Sequence, residues 1–241
     1  MTHSHDQDAT RALLHMRGVT KTFGQGDISV HALRGVDLAI GAGEFTALVG
    51  PSGSGKTTLL NLIGALDRQT SGSVTVLGRD LGSLTKRQRA RLRLSEIGFV
   101  FQAYNLVPVL TAQENVEFVL ELRGIGARER RKRAQRALAE LGLAELADRR
   151  PGELSGGQQQ RVAVARSVAG EPRLVLADEP TASLDSDNAE ALIAMMRRLR
   201  TERGMTFVFS THDARVVAHA ARVVHLRDGK VEHDEQKANQ A

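Results

Sequence analysis

Short apolar runs alternate with helix-period stretches along this chain. EFTALVG, residues 44 to 50, is a compact apolar run that leads straight into a glycine loop. TTLLNLIGAL, residues 57 to 66, follows with the apolar density of a buried helix, so the segment reads strand, glycine loop, helix. Ahead of it, residues 12 to 19 and 30 to 40 read as strands, the second (VHALRGVDLAI) with fairly regular alternation. SVTVLG (73 to 78) and IGFVF (97 to 101) are further strands, with the basic segment TKRQRARLRL, 85 to 94, between them. From 112 to 147 the period is helical: AQENVEFVLELRG and ARERRKRAQRALAELG each close on glycine. After LSGGQ comes a helix through Val168, then the strand RLVLAD at 173 to 178. A long helix at 187 to 203 and the strand TFVFST at 206 to 211 follow. VVHLRDGKV, 223 to 231, closes the set as a hairpin around Asp228 and Gly229.

Apolar strands alternating with helices predict an α/β fold, a mostly parallel sheet covered on both faces. The helical stretch from 103 interrupts that alternation. It divides a single domain, 11–232, into a core (11–102 and 170–232) and an inserted helical lobe (103–169). Residues 1–10 and 233–241 read as polar tails.

Composition narrows this little. The 241 residues are 41% hydrophobic and 25% charged, ordinary globular values. Thirty-three basic against 28 acidic residues give +5, which favours anionic partners without choosing among nucleotide, nucleic acid or acidic lipid. There is no cysteine, which excludes disulfides and thiolate metal sites. No run approaches the ~20 apolar residues of a membrane span. The start, MTHSHDQDATR, is polar and acidic where a signal peptide is basic and then apolar, so the expected location is the cytoplasm. His3 and His5 are metal-capable residue types in that polar lead, where a solvated tail is the simpler reading.

The chemistry gathers at strand ends. GPSGSGKT, residues 50 to 57, fits G-x-x-x-x-G-K-[ST] in the strand–loop–helix setting that the pattern requires. Gly50, Pro51, Ser52, Gly53, Ser54 and Gly55 form a loop whose backbone N–H groups can curl around phosphate oxygens. Lys56 can reach the β- and γ-phosphates, the Thr57 hydroxyl can ligate Mg²⁺, and Thr58 can bond a phosphate nearer the sugar. Asp178 and Glu179 end a strand apolar on both faces, the edge where open α/β sheets bind ligands. Asp178 would hold Mg²⁺, and Glu179 would orient or deprotonate an attacking water. His212 and Gln102 follow strands in the same way, His212 within reach of a γ-phosphate and Gln102 of Mg²⁺ or the water. A second phosphate-like stretch, LSGGQQQRVAVAR at 154 to 166, sets a serine and two glycines ahead of a helix.

LSGGQ upstream of an apolar run ending in DE, with Gln102 and His212 at strand ends, resembles the ATP-binding cassette (ABC) ATPase family over residues 11 to 232. The resemblance implies a P-loop fold with a parallel-sheet core, an antiparallel β subdomain and an inserted helical lobe. It implies ATP and Mg²⁺ as ligands, and a head-to-tail homodimer that sandwiches each ATP between two chains. Ser155, Gly156, Gly157 and Gln158 would then serve the partner's γ-phosphate, and Asp185 would reach across the interface. Phe23 falls where the family carries an aromatic that stacks on adenine, and it retains that stacking.

VHALRGVDLAIGAGE, LNLIGALDRQTSGSV, FVFQAYNLVPVLTAQENV, ELSGGQQQRVAVAR and LADEPTASLDS resemble one branch, the macrolide-exporter, lipoprotein-release and cell-division ATPases. That branch implies an integral membrane permease partner of the MacB or FtsX type, docking around residues 102 to 111. The ATPase would sit peripherally on the inner face of the membrane. The chain has TASLD where the branch often has TGALD or TGNLD. A soluble ABC ATPase acting on DNA or ribosomes is the alternative; such relatives carry two cassettes or a long coiled coil, and neither occurs here, so no nucleic acid is expected. The run RERRKR, 128 to 133, reads as a solvated helix face.

Overall fold

The computed structural model describes residues 12–25 and 28–237; His3, His5 and residues 238–241 lie outside them. Ten strands and seven α-helices are arranged on two sheets among the described residues. β1 (Ala12–Gln25), β2 (Ile28–Gly41), β4 (Ser71–Val76) and β5 (Arg79–Asp80) form an antiparallel sheet in the order β2-β1-β4-β5. β3 (Phe45–Val49), β6 (Ile97–Val100), β7 (Leu174–Asp178), β8 (Thr206–Thr211), β9 (Arg222–Arg227) and β10 (Lys230–Gln236) form the other, in the order β10-β9-β3-β8-β7-β6. Every pairing there is parallel except β10 on β9.

Helix α1 (Lys56–Ile63) buries Leu59, Leu60, Leu62 and Ile63 in one core with the antiparallel sheet and one face of the six-stranded sheet. α6 (Ser186–Arg203) buries Leu192, Ile193, Met196 and Leu199 in the second core, on the opposite face. That second core continues into the helical region, through Val116 and Leu120 of α3 (Ala112–Leu122) and Leu138 of α4 (Ala127–Glu140). It also takes in Val162 and Val164 of α5 (Gly156–Val168). Arg222 ties the two sheets together. It donates to the Ala39 carbonyl on β2 at 2.8 Å, to Glu44 at 3.0 Å and to Asp234 on β10 at 2.8 Å.

The α/β architecture matches the expectation, with four differences. The basic segment forms a helix, α2 (Lys86–Glu96), started by a Thr85–Gln88 capping box. β1 continues to Gln25, past residue 19, because it pairs along most of β2. β10 runs to Gln236, so the polar tail expected from 233 begins later; as an edge strand it pairs on one side only and tolerates KVEHDEQ. A short helix, α7 (Ala214–Ala218), follows β8, begun by Asp213 accepting from the Arg215 backbone N–H.

Candidate functional site

Four parallel strands deliver the candidate residues to one edge. β3 ends at Val49 before the glycine loop, β6 before Gln102, β7 at Asp178, and β8 before His212. They open on a cleft of about 800 Å³ lined by Gly50, Pro51, Ser52, Gly53, Gly55, Lys56, Thr57, Thr58, Gln102, Glu179 and His212. Phe23, Val30 and His31 from the β1–β2 hairpin close its mouth. The sequence reading did not single out His31, whose Nδ1 lies 3.0 Å from Thr22 Oγ1; only the cross-strand pairing brings it there.

The loop is shaped by close approach. A Cβ on Gly50 would lie 2.1 Å from the Leu226 carbonyl oxygen, so only glycine fits. Gly55 has φ +103 and would collide with the Ala32 carbonyl at 2.7 Å, which makes it the left-handed residue that starts α1. Lys56 is buried and donates Nζ to the carbonyls of Gly50 (2.7 Å) and Pro51 (3.0 Å), leaving one of its three N–H donors for an anion. Ser54 Oγ is buried in the same loop with no protein partner.

Opposite the loop, Ser210 joins the acidic pair. Its hydroxyl donates to Asp178 Oδ1 (2.6 Å) and accepts from the Glu179 backbone N–H (2.8 Å). The parallel register sets Ser210 directly beside Asp178. Glu179 has φ +48. Its Oε2 lies 3.0 Å from His212 Nδ1, within hydrogen-bond reach. The Glu179 side chain is 16% exposed and that of His212 is 71%, so the carboxylate is largely buried while the imidazole stays open to solvent.

A divalent cation fits this donor set. Among the described residues no three His, Cys, Asp or Glu side chains cluster for a metal. The Thr57 hydroxyl, the Gln102 carbonyl oxygen and the Asp178 carboxylate are hard oxygen donors of the kind that hold Mg²⁺ beside phosphate oxygens and water; Thr57 and Gln102 line the cleft, whereas Asp178, bonded to Ser210, is not among its lining residues.

Ser155, Gly156, Gly157, Gln158 and Asp185 do not line this cleft. Ser155 caps α5, accepting from the Gln158 N–H at 3.3 Å while the Gln158 side chain accepts from the Ser155 N–H at 2.9 Å. Asp185 caps α6. Its two oxygens accept from the Asn188 backbone N–H (3.0 Å) and side-chain amide (2.7 Å), and these bonds hold its carboxyl below the usual range. Asn188 in turn accepts from Arg161 of α5 at 2.8 Å. The two helix starts are therefore one bonded unit, away from the glycine loop.

Known proteins are similar to this chain in sequence and fold. The family model described as ABC transporter covers residues 33–182. The lipoprotein-releasing system ATP-binding protein LolD of Anaeromyxobacter dehalogenans is 48% identical over 219 residues, covering 90% of this chain and 92% of that protein. The macrolide export ATP-binding/permease protein MacB of Hyphomonas neptunium is 46% identical over 222 residues, covering 92% of this chain; the match spans 34% of that longer protein. The ATP-binding cassette MJ0796 of Methanocaldococcus jannaschii, solved as a post-hydrolysis dimer bound to ADP and Pi, superposes with a TM-score of 0.87. It is 43% identical, over 94% of this chain and 99% of that one.

Proposed function

The chain belongs to the ABC transporter family, and from that premise we propose that its ATP site is finished only when two copies meet head to tail. It is an ATP-binding cassette that hydrolyses ATP. One observation carries the dimer reading: Phe23, the glycine loop, Gln102, Glu179 and His212 share a cleft to which Ser155–Gln158 contribute nothing. A second copy, turned to present those residues to the γ-phosphate, closes the site. ATP then bridges two subunits and hydrolysis removes the bridge.

In this reading Phe23 stacks on adenine, the loop amides and Lys56 hold the phosphates, and Glu179 accepts the proton of the attacking water. His212 Nδ1–H fixes the Glu179 carboxylate while Nε2 faces the γ-phosphate. Mg²⁺, held by Thr57, Gln102 and Asp178, would neutralise charge developing on the phosphate oxygens. Asp185 belongs to the interface.

The output is a membrane permease of the lipoprotein-release or macrolide-export kind, which would hold the cassette at the inner face of the membrane. No helix among the described residues is long and apolar enough to cross a bilayer. The permease docks beside residues 102–111, where a groove of about 460 Å³ opens between the core and the helical lobe 103–169.

Glu179→Gln tests the centre of this reading. It preserves shape and a bond to His212 while removing the proton acceptor. Turnover should drop by ~10²–10⁴-fold with ATP binding retained, and an ATP-loaded dimer should accumulate on a sizing column. Ordinary turnover in the variant would remove Glu179 from its role, and an ATP-loaded monomer would remove the sandwich.

A further inference from the structure

The docking groove carries a charge pattern of its own. Its floor and walls are apolar, with Leu66, Phe99, Phe101, Val107 and Phe118 among them; Leu66 and Phe118 are each 45% exposed, open enough to receive a partner side chain. Three arginines, Arg93, Arg123 and Arg166, complete the lining, and no Asp or Glu does.

These guanidiniums are held by backbone carbonyls alone. Arg93 donates to Ala65 at 2.8 Å. Arg123 donates to Leu94 at 2.6 Å, to Ser95 at 2.9 Å and to Gly170. Arg166 donates to Tyr104 at 2.8 Å and to Asn105. None has a carboxylate within salt-bridge distance among the described residues, whereas Arg130, Arg133, Arg136, Arg203 and Arg222 all do. Burial presses the guanidinium pKa of Arg123 and Arg166 downward; around Arg123 the more distant Glu96 and Glu171 carboxylates offset part of that effect and Arg133 adds to it. Carbonyl dipoles orient a buried cation but do not cancel its charge.

We infer that the groove selects an acidic amphipathic segment: apolar side chains seat on Leu66, Phe101 and Phe118 while carboxylates pair with Arg93 and Arg123. This rests on the docking reading above and specifies its partner. A basic or neutral segment would desolvate Arg93 and Arg123 further without bringing them a counter-charge.

Two synthetic helical peptides of about 14 residues test it, sharing one Leu-rich face and differing only in Glu or Lys at the flanking positions. Binding to the full chain is read by fluorescence anisotropy. The Glu peptide should bind at least ~10-fold tighter than the Lys peptide at low salt, with the ratio shrinking as salt rises. Arg93→Gln should erase most of that preference, whereas Arg87→Gln, which removes an exposed charge of the same helix outside the groove, should not. Phe118→Ala should weaken the Glu peptide, showing that the apolar floor takes part. Basal ATP hydrolysis should be unchanged in all three variants, confirming that they fold. Equal binding of both peptides, or equal losses for Arg93→Gln and Arg87→Gln, would overturn the charge selection and leave docking intact. Failure of both peptides to bind would overturn the docking reading itself.

Discussion

Lys21 illustrates how a residue outside the motifs reaches the site. Its ammonium lies 4.6 Å from the centre of the Phe23 ring, and it is pinned by Asp67 (2.8 Å) and the Arg68 carbonyl (2.9 Å). The half-exposed Phe23 ring thus has a cation on one face, beside the proposed adenine position. Lys21→Met keeps the stem and loses the cation, worth ~0.5–1 kcal/mol at such a site. The KM for ATP should rise a few-fold with kcat unchanged, in steady-state kinetics. Asp185 makes a different prediction. Because Asn188 holds its folded value below the ordinary 3.8, its contribution is full above that value and fades as pH falls through the lower folded one. Wild type should therefore exceed Asp185→Asn in denaturant stability near pH ~6, and the gap should narrow toward pH ~3. That Glu179, His212, Gln102 and Lys56 gather at one sheet edge was legible, because strand ends and glycine loops leave local signatures. Ser210 was not, since its place between Asp178 and Glu179 follows from the pairing of β7 with β8, two segments remote in sequence.

Among the elements, those with a buried stripe were legible nearly to the residue. TFVFST forms β8 over Thr206–Thr211, buried throughout. RLVLAD differs from β7 by one residue. KRQRARLRLSE gave no such stripe, because only Arg89 and Leu92 of α2 are buried; capping and packing of that one turn decide its helix. β5, of two residues, and α7, of five, are too short for any period. Caps also set the helical lobe. Thr111 accepts from the Glu114 N–H at 3.1 Å and the Glu114 carboxylate accepts from the Thr111 N–H at 2.8 Å, so α3, whose Phe118 lines the proposed docking groove, begins with two N–H groups satisfied. Thr111→Ala should cost ~1 kcal/mol in urea unfolding, and should disturb partner-dependent activity more than basal hydrolysis.

For the molecule as a whole, the proposed unit of action is two chains. A single sequence names both phosphate motifs, but whether they serve one ATP depends on a surface that forms only between copies. Ser155→Arg places a long cation where the second copy must seat, far from the loop that holds the nucleotide. The variant should bind ATP with near-normal affinity, remain monomeric on a sizing column and fail to turn over. The positive φ of Glu179 bears on the whole fold as well. A side chain there costs ~1–2 kcal/mol that glycine would not, and the Ser210 hydroxyl helps hold the turn in place. Glu179→Gly should accordingly raise the melting temperature while abolishing hydrolysis. On that outcome a screen for thermostability alone would favour a change that silences the proposed catalytic turn.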